Sequence, residues 1–218
     1  VISPGTVIIS AAGNCSEISK VVEPVLHTDA GNIYYVNISQ DEYKLGGSSF
    51  NQTLNAIGNE APDVTNPSYV KKTFNTIQKL IKEGKITAGH DVASGGLITT
   101  LLEMCFADTN LGADFNISEL NEEDSIKVLF AENAGIVFQA DASVETIFEE
   151  NGVALFNIGT ANKTGVVSIK NNDDNFSFNV AELRDVWYKT SFLLDSKQTA
   201  NNLAQARFDN YKNQPLTY

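Results

Sequence analysis

Residues 86–108 read "ITAGHDVASGGLITTLLEMCFAD". The first six residues predict a short strand over 86–91, and "SGGLITTLLEMCFAD" (94–108) predicts a helix that is apolar on nearly every side. A helix of that kind belongs in the centre of a domain. Between the two lie His90, Asp91 and the pair Gly95–Gly96. In open α/β sheets ligands gather at the carboxyl ends of strands. Glycines at a helix start let a phosphate approach free backbone N–H groups, and Asp91 could hold Mg²⁺ against it, a hard cation that takes oxygen ligands. A second reading has Asp91 or Ser94 capping the helix and His90 as a hydrogen-bonded turn residue. Spacing alone leans to this second reading. One carboxylate is not a metal site, so any further ligands must come from elsewhere.

Working outward, "TVIISAAGN" (6–14) predicts a strand and a turn, and "ISKVVEPVLH" (18–27) a short helix or strand limited by Pro24. "NIYYVNIS" (32–39) is a strand. Two helices follow: "SSFNQTLNAIGN" (48–59), with Phe50, Leu54 and Ile57 as its apolar face, and "NPSYVKKTFNTIQKLIKEGK" (66–85). The second has Asn66 as N-cap, Pro67 at the first helical position and Gly84 at its end. Its apolar stripe is Tyr69, Val70, Phe74, Ile77, Leu80 and Ile81. Strands are expected at 113–118, 134–141, 154–161, 165–170 and 176–180, the last two as a hairpin. Helices are expected at 122–133, where the helix runs into extended chain, at 143–152, capped and ending at Gly152, and at 179–198. Some strands are joined by helices and others by tight turns. The fold class is therefore α/β, with helices packed on a mixed sheet. Residues 1–198 form the domain, and the polar stretch 199–218 is a linker or arm leading out of it.

The formal charge is −12, from 27 acids and 15 bases. That balance disfavours nucleic acid, whose binding needs phosphates neutralised by Lys and Arg. No apolar run approaches the ~20 residues that span a bilayer, and the start has no basic segment of a signal peptide. The chain begins at Val1 rather than Met, which suggests processing or an excised segment. The two cysteines, Cys15 and Cys105, make neither a disulfide framework nor a zinc site. Cys105 is read as a buried small hydrophobe and Cys15 as exposed or half-buried. The expected compartment is the reducing cytoplasm, with no nucleic-acid or membrane partner.

A second glycine loop, "YKLGGSSFNQ" (43–52), places Gly46, Gly47 and Ser48 before a helix, with Lys44 nearby. It suits an anion, or else it is a flexible loop with Ser48 or Ser49 as N-cap. It is not a P-loop, because the downstream Gly-Lys-Ser/Thr is missing. "AAGNCSE" (11–17) is favoured as a plain turn. With only His27 and His90 in the chain, a Ser-His-Asp arrangement has no support. Glu132 in "LFAENAGIVFQ" could be a ligand or an ion-pair partner, but an exposed turn acid is favoured. The runs "NEEDS" and "FEEN" are solvated helix faces. Trp187 and Tyr188 are core rather than stacking platforms.

Several segments together resemble one family. "GHDVASGGLITTLLEMCFA" is similar to the "HD…GGL…EMAFA" segment of the formylglycinamidine ribonucleotide synthase family. "VIISAAGNCSEISKVVEPVL", "YKLGGSSFNQTLNAIGNEAPDV", "FAENAGIVFQA" and "VWYKTSFLLDSKQ" follow in that family's order, over about residues 1–200. The resemblance implies a three-layer α/β/α domain with a mixed sheet, like the carboxy-terminal half of aminoimidazole ribonucleotide synthetase. It implies the second such half of the large single-chain form, with an ATP-binding half before it and a glutaminase domain after it as partners. It also implies the whole enzyme's reaction. ATP activates the formamide oxygen of formylglycinamide ribonucleotide, and ammonia from glutamine replaces it to give the amidine. Asp91 would correspond to a Mg²⁺ ligand beside the phosphates of ATP or ADP, and the pocket of the second copy would be structural. Gly46, Gly47, Ser48, Gly95 and Gly96 are then the candidate nucleotide-binding positions, and no catalytic residue is assigned. The family's usual His-Asp-x-Ser-Asp-Gly-Gly has Ala93 and Ser94 here in place of Ser and the second Asp. The loss of that carboxylate points to an auxiliary pocket, in a domain inactive alone.

Overall fold

The computed structural model describes residues 9–15 and 17–213. In chain order, the first elements are β1 (Asn32–Asn37), α1 (Ser49–Thr53), α2 (Pro67–Lys82), β2 (Ile86–Val92), α3 (Gly96–Glu103) and β3 (Gly112–Asn116). They are followed by α4 (Ser125–Phe130), β4 (Gly135–Ala140), α5 (Val144–Glu150), β5 (Phe156–Asn162), β6 (Val166–Asn171), β7 (Asp174–Asn179), α6 (Val180–Gln198) and α7 (Leu203–Asn210). The strands form a seven-stranded sheet in the order β2-β4-β1-β5-β3-β6-β7. The β3–β6 pair is parallel and the other pairs are antiparallel, so the sheet is mixed.

Both faces of the sheet are covered. Along β1, Ile33 and Tyr35 join one core with Leu97, Leu101 and Met104 of the α3 segment and Val128 and Leu129 of α4. Tyr34 and Val36 join the other, with Tyr69, Ile77 and Leu80 of α2 and Val144 and Phe148 of α5. A strand buried on both faces has no reason to alternate polar and apolar residues, which is why "NIYYVN" reads as a continuous apolar run. The expected three layers, helices on each side of a mixed sheet, are present. Helix α2 begins as the sequence indicates: Asn66 Oδ1 accepts from Tyr69 N at 3.1 Å, and Pro67 opens the first turn.

Several expectations change. Ile9–Cys15 form no strand and lie exposed, while residues 6–8 fall outside the described residues. The segment at 18–27 becomes a single 3₁₀ turn, Ile18–Lys20, followed by extended chain. The helix expected over 48–59 is one turn, because Asn55 takes a left-handed φ of 55° and Leu54 and Ile57 stay exposed. Phe74 lies on the exposed side of α2 rather than in its buried stripe. The central helix starts at Gly96 behind a left-handed Gly95, with no side-chain cap, and ends at Glu103. Ser143 gives α5 no side-chain cap. Trp187 is half-exposed: its indole Nε1 donates to Glu103 Oε1 at 3.1 Å, and its ring tilts against Phe106. Residues 203–210, within the expected arm, form α7 and fold back on α6. Phe192 meets Phe208 there, and Arg207 makes a bidentate pair with Asp195, Nε donating to Oδ2 and Nη2 to Oδ1.

Candidate functional site

Strand β2 lies at the edge of the sheet and carries His90 and Asp91 near its carboxyl end. Asp91 turns its carboxylate to solvent, with the side chain 75% exposed. Its carbonyl is engaged inward, accepting from Thr100 Oγ1 at 3.0 Å and lying 2.7 Å from His90 Nδ1. His90 Nε2 is 3.3 Å from Glu103 Oε2. The Glu103 carboxylate raises the imidazole pKa above its ordinary value, against the opposing effect of partial burial. Glu103 thus joins the end of β2, through His90, to α6, through Trp187.

The two glycine loops meet each other through one side chain. Glu132 Oε1 accepts from Ser49 N and from Gly95 N, each at 2.8 Å. Partial burial pushes the carboxyl up, but the two N–H donors outweigh it, and the group sits below its usual value. The neighbouring Asn133 is fully buried, and its Nδ2 donates to Ser39 Oγ and to the carbonyls of Asp41 and Glu42 at 3.0–3.2 Å. The pair Glu132–Asn133, between α4 and β4, therefore fastens both ends of the 39–49 loop. The sequence names Glu132 but favours an exposed turn acid; instead it is half-buried and accepts from two main-chain donors. Its signal was an acid inside the apolar context "LFAENAGIVF", next to two loops rich in backbone donors with no acceptor in view.

Each expected nucleotide-contacting amide has an acceptor within the chain. Gly46 N donates to Glu60 O at 2.7 Å, Gly47 N to Ile57 O at 2.8 Å and Ser48 N to Leu45 O at 3.1 Å. Gly96 N donates to Ala93 O at 3.1 Å, and Gly95 N serves Glu132. Ser48 also caps α1, its Oγ accepting from Asn51 N. As placed, these residues do not fit a phosphate: no N–H among them is free, and the junction already holds a carboxylate. For a cation, Asp91 offers one outward carboxylate, and no group of three His, Cys, Asp or Glu among the described residues could hold a metal ion. Among the described residues no helix is long and apolar enough to cross a membrane.

Comparison with known proteins gives one consistent result. Residues 33–171 match the family described as "AIR synthase related protein, C-terminal domain". The human "Phosphoribosylformylglycinamidine synthase" is 33% identical over 206 residues, covering 90% of this chain and 15% of that protein. The Arabidopsis thaliana protein named "Probable phosphoribosylformylglycinamidine synthase, chloroplastic/mitochondrial" is 33% identical over 203 residues, covering 90% of this chain and 14% of its own length. The chain thus spans about a seventh of the curated relatives it matches. Among solved structures, "T. maritima PurL complexed with FGAR" superposes with a TM-score of 0.58 at 15% identity, over 77% of this chain and 30% of that one. "T. maritima PurL complexed with ATP" gives 0.56 at 14% identity, over 77% and 28%. At that identity the likeness is one of fold.

Proposed function

The chain belongs to the AIR synthase related protein, C-terminal domain family, and from that premise we propose that it is one domain of a phosphoribosylformylglycinamidine synthase. The observation that carries this reading is the 33% identity maintained over nine-tenths of the chain to relatives bearing that name. The full-length protein would be a purine-biosynthesis ligase that converts formylglycinamide ribonucleotide to its amidine with glutamine and ATP. Residues 1–198 would be its second aminoimidazole-ribonucleotide-synthetase-like carboxy-terminal half, and 199–218 the connection towards a glutaminase domain. Its partners are the other domains of the same polypeptide, and its compartment is the cytoplasm, although the plant relative's name places that protein in chloroplast or mitochondrion.

Within that enzyme the domain is auxiliary. The replacement of a second Asp by Ser94, the engaged glycine amides and the solitary Asp91 all support a non-catalytic role. Asp91 is the residue we assign to a Mg²⁺ beside ADP or ATP, the nucleotide phosphates and the remaining ligands being held by residues outside this chain. When bound, the cation would neutralise phosphate charge. What Asp91 itself supplies is one exposed carboxylate, carried on a strand whose main chain Thr100 holds in place.

The test compares the isolated chain with the full-length protein that carries it, each given ATP, glutamine and formylglycinamide ribonucleotide. Turnover by the full-length protein and none by the isolated chain is expected. Turnover by the isolated chain would overturn the auxiliary role, and none by the full-length protein would overturn the ligase reading. Calorimetry with MgADP should show weak or no binding to the isolated chain. Micromolar binding abolished by Asp91→Ala would make it an independent nucleotide-binding module instead.

A further inference from the structure

We propose that Glu132 is the resident anion of the junction between the two glycine loops. Its carboxylate pins the 45–49 loop to the 93–96 loop and occupies the place where a phosphate would have to sit. Glu132 is then a positioning residue, and the junction a closed joint rather than a binding site. The inference concerns this chain's own geometry and does not depend on which enzyme the domain serves.

Three observations carry it. A single oxygen, Glu132 Oε1, takes both N–H donors at 2.8 Å, from residues 83 and 37 positions away in sequence. The amides of Gly46, Gly47, Ser48 and Gly96 are satisfied by main-chain carbonyls, whereas those of Ser49 and Gly95 turn to an anion. The backbone that carries Glu132 is held in place, because Asn133 beside it is buried and donates to Ser39, Asp41 and Glu42. A hydrogen bond to a charged group contributes roughly 1.5–3 kcal/mol, which corresponds to about a tenfold or larger change in the opening equilibrium of each amide.

The experiment follows amide hydrogen exchange residue by residue in the whole 218-residue chain by NMR. In Glu132→Ala, Ser49 and Gly95 should exchange at least about tenfold faster, while amides in β1 and β4 keep their rates. Unchanged rates at Ser49 and Gly95 overturn the proposal. The second variant is Ser49→Pro. Ser49 is the first helical residue of α1, where proline is tolerated, and Ser48 before it is already extended at φ −62°, ψ 154°, as a pre-proline residue must be. Proline deletes the Ser49 N–H and sets its ring against Glu132. Gly95 exchange should rise, and in the Glu132→Ala background the proline should raise it no further. Independent, multiplying effects would show that no shared carboxylate links the loops. In the wild-type chain, millimolar inorganic phosphate should leave the Ser49 and Gly95 resonances where they are. Saturable movement of both would place the phosphate, and not Glu132, in the joint.

Discussion

Gln139 closes a two-bond ring with the main chain of His27: its Nε2 donates to His27 O at 2.7 Å, and its Oε1 accepts from His27 N at 2.9 Å. The glutamine is fully buried in β4 and does for the main chain at His27 what a neighbouring strand would otherwise do. Leu26 is seated in the core beside it. In Gln139→Leu both His27 main-chain groups lose their partner at a part-buried position. Each such hydrogen bond contributes about 0.5–1.5 kcal/mol net, so a loss of about 1–3 kcal/mol is expected. Urea unfolding checks it, with a lower midpoint at unchanged slope.

The contact of His90 with Glu103 predicts a titration that the chain's single tryptophan can report. The imidazole pKa is raised above its ordinary 6.5, first by the Glu103 hydrogen bond. The folded protein therefore binds the proton more tightly than the unfolded chain. The stabilisation is complete below about pH 6.5 and is lost as pH rises through the higher folded value. Because Trp187 Nε1 donates to the same carboxylate, its fluorescence should change with a midpoint above 6.5. Glu103→Gln should bring that midpoint down. A midpoint unmoved by the substitution would show that Glu103 is not the cause.

A mixed sheet and most elements in their chain order were legible because burial leaves a mark on the sequence. Strands β1 and β4 read as apolar runs, and α2 announces both of its ends through Asn66, Pro67 and Gly84. Illegible elements were those whose pattern had no core to face. Leu54 and Ile57 keep helical spacing, yet the left-handed Asn55 stops α1 before they can pack. The glycine loops were visible as reservoirs of donors. Their acceptor was not, because Glu132 is a long-range partner that local spacing cannot supply. The His90–Glu103–Trp187 chain was hidden for the same reason: its members come from β2, α3 and α6.

The two glycines of the 45–48 loop should respond differently to the same substitution. A Cβ on Gly46 would stand 2.2 Å from Glu60 O, in the backbone of the facing segment, where nothing flexible can move aside. A Cβ on Gly47 meets nothing within 4 Å, and its penalty comes only from a φ of +76°. Gly47→Ala should cost about 1–2 kcal/mol, the usual left-handed penalty. Gly46→Ala should cost more and break the Gly46 N to Glu60 O bond, separating 45–48 from 57–60. Thermal unfolding ranks the pair, and equal losses would contradict the close approach.

The two thiols should be separable by reactivity alone. Cys15 is exposed, whereas Cys105 is fully buried in the α3 core, and burial pushes its thiol pKa up to about 12. Reaction needs thiolate and access, and Cys105 has neither in the folded state. Ellman's reagent should therefore modify one thiol per native chain quickly and the second only as the chain unfolds. The slow phase should then follow the unfolding rate rather than reagent concentration. Cys105→Ser buries a hydroxyl where a weakly polar sulfur sat, and about 1–3 kcal/mol of stability should go with it. Cys15→Ser should be silent in stability and should abolish the fast phase, which assigns that phase to Cys15. A fast phase that survives Cys15→Ser would mean that the α3 core opens far more readily than its packing implies.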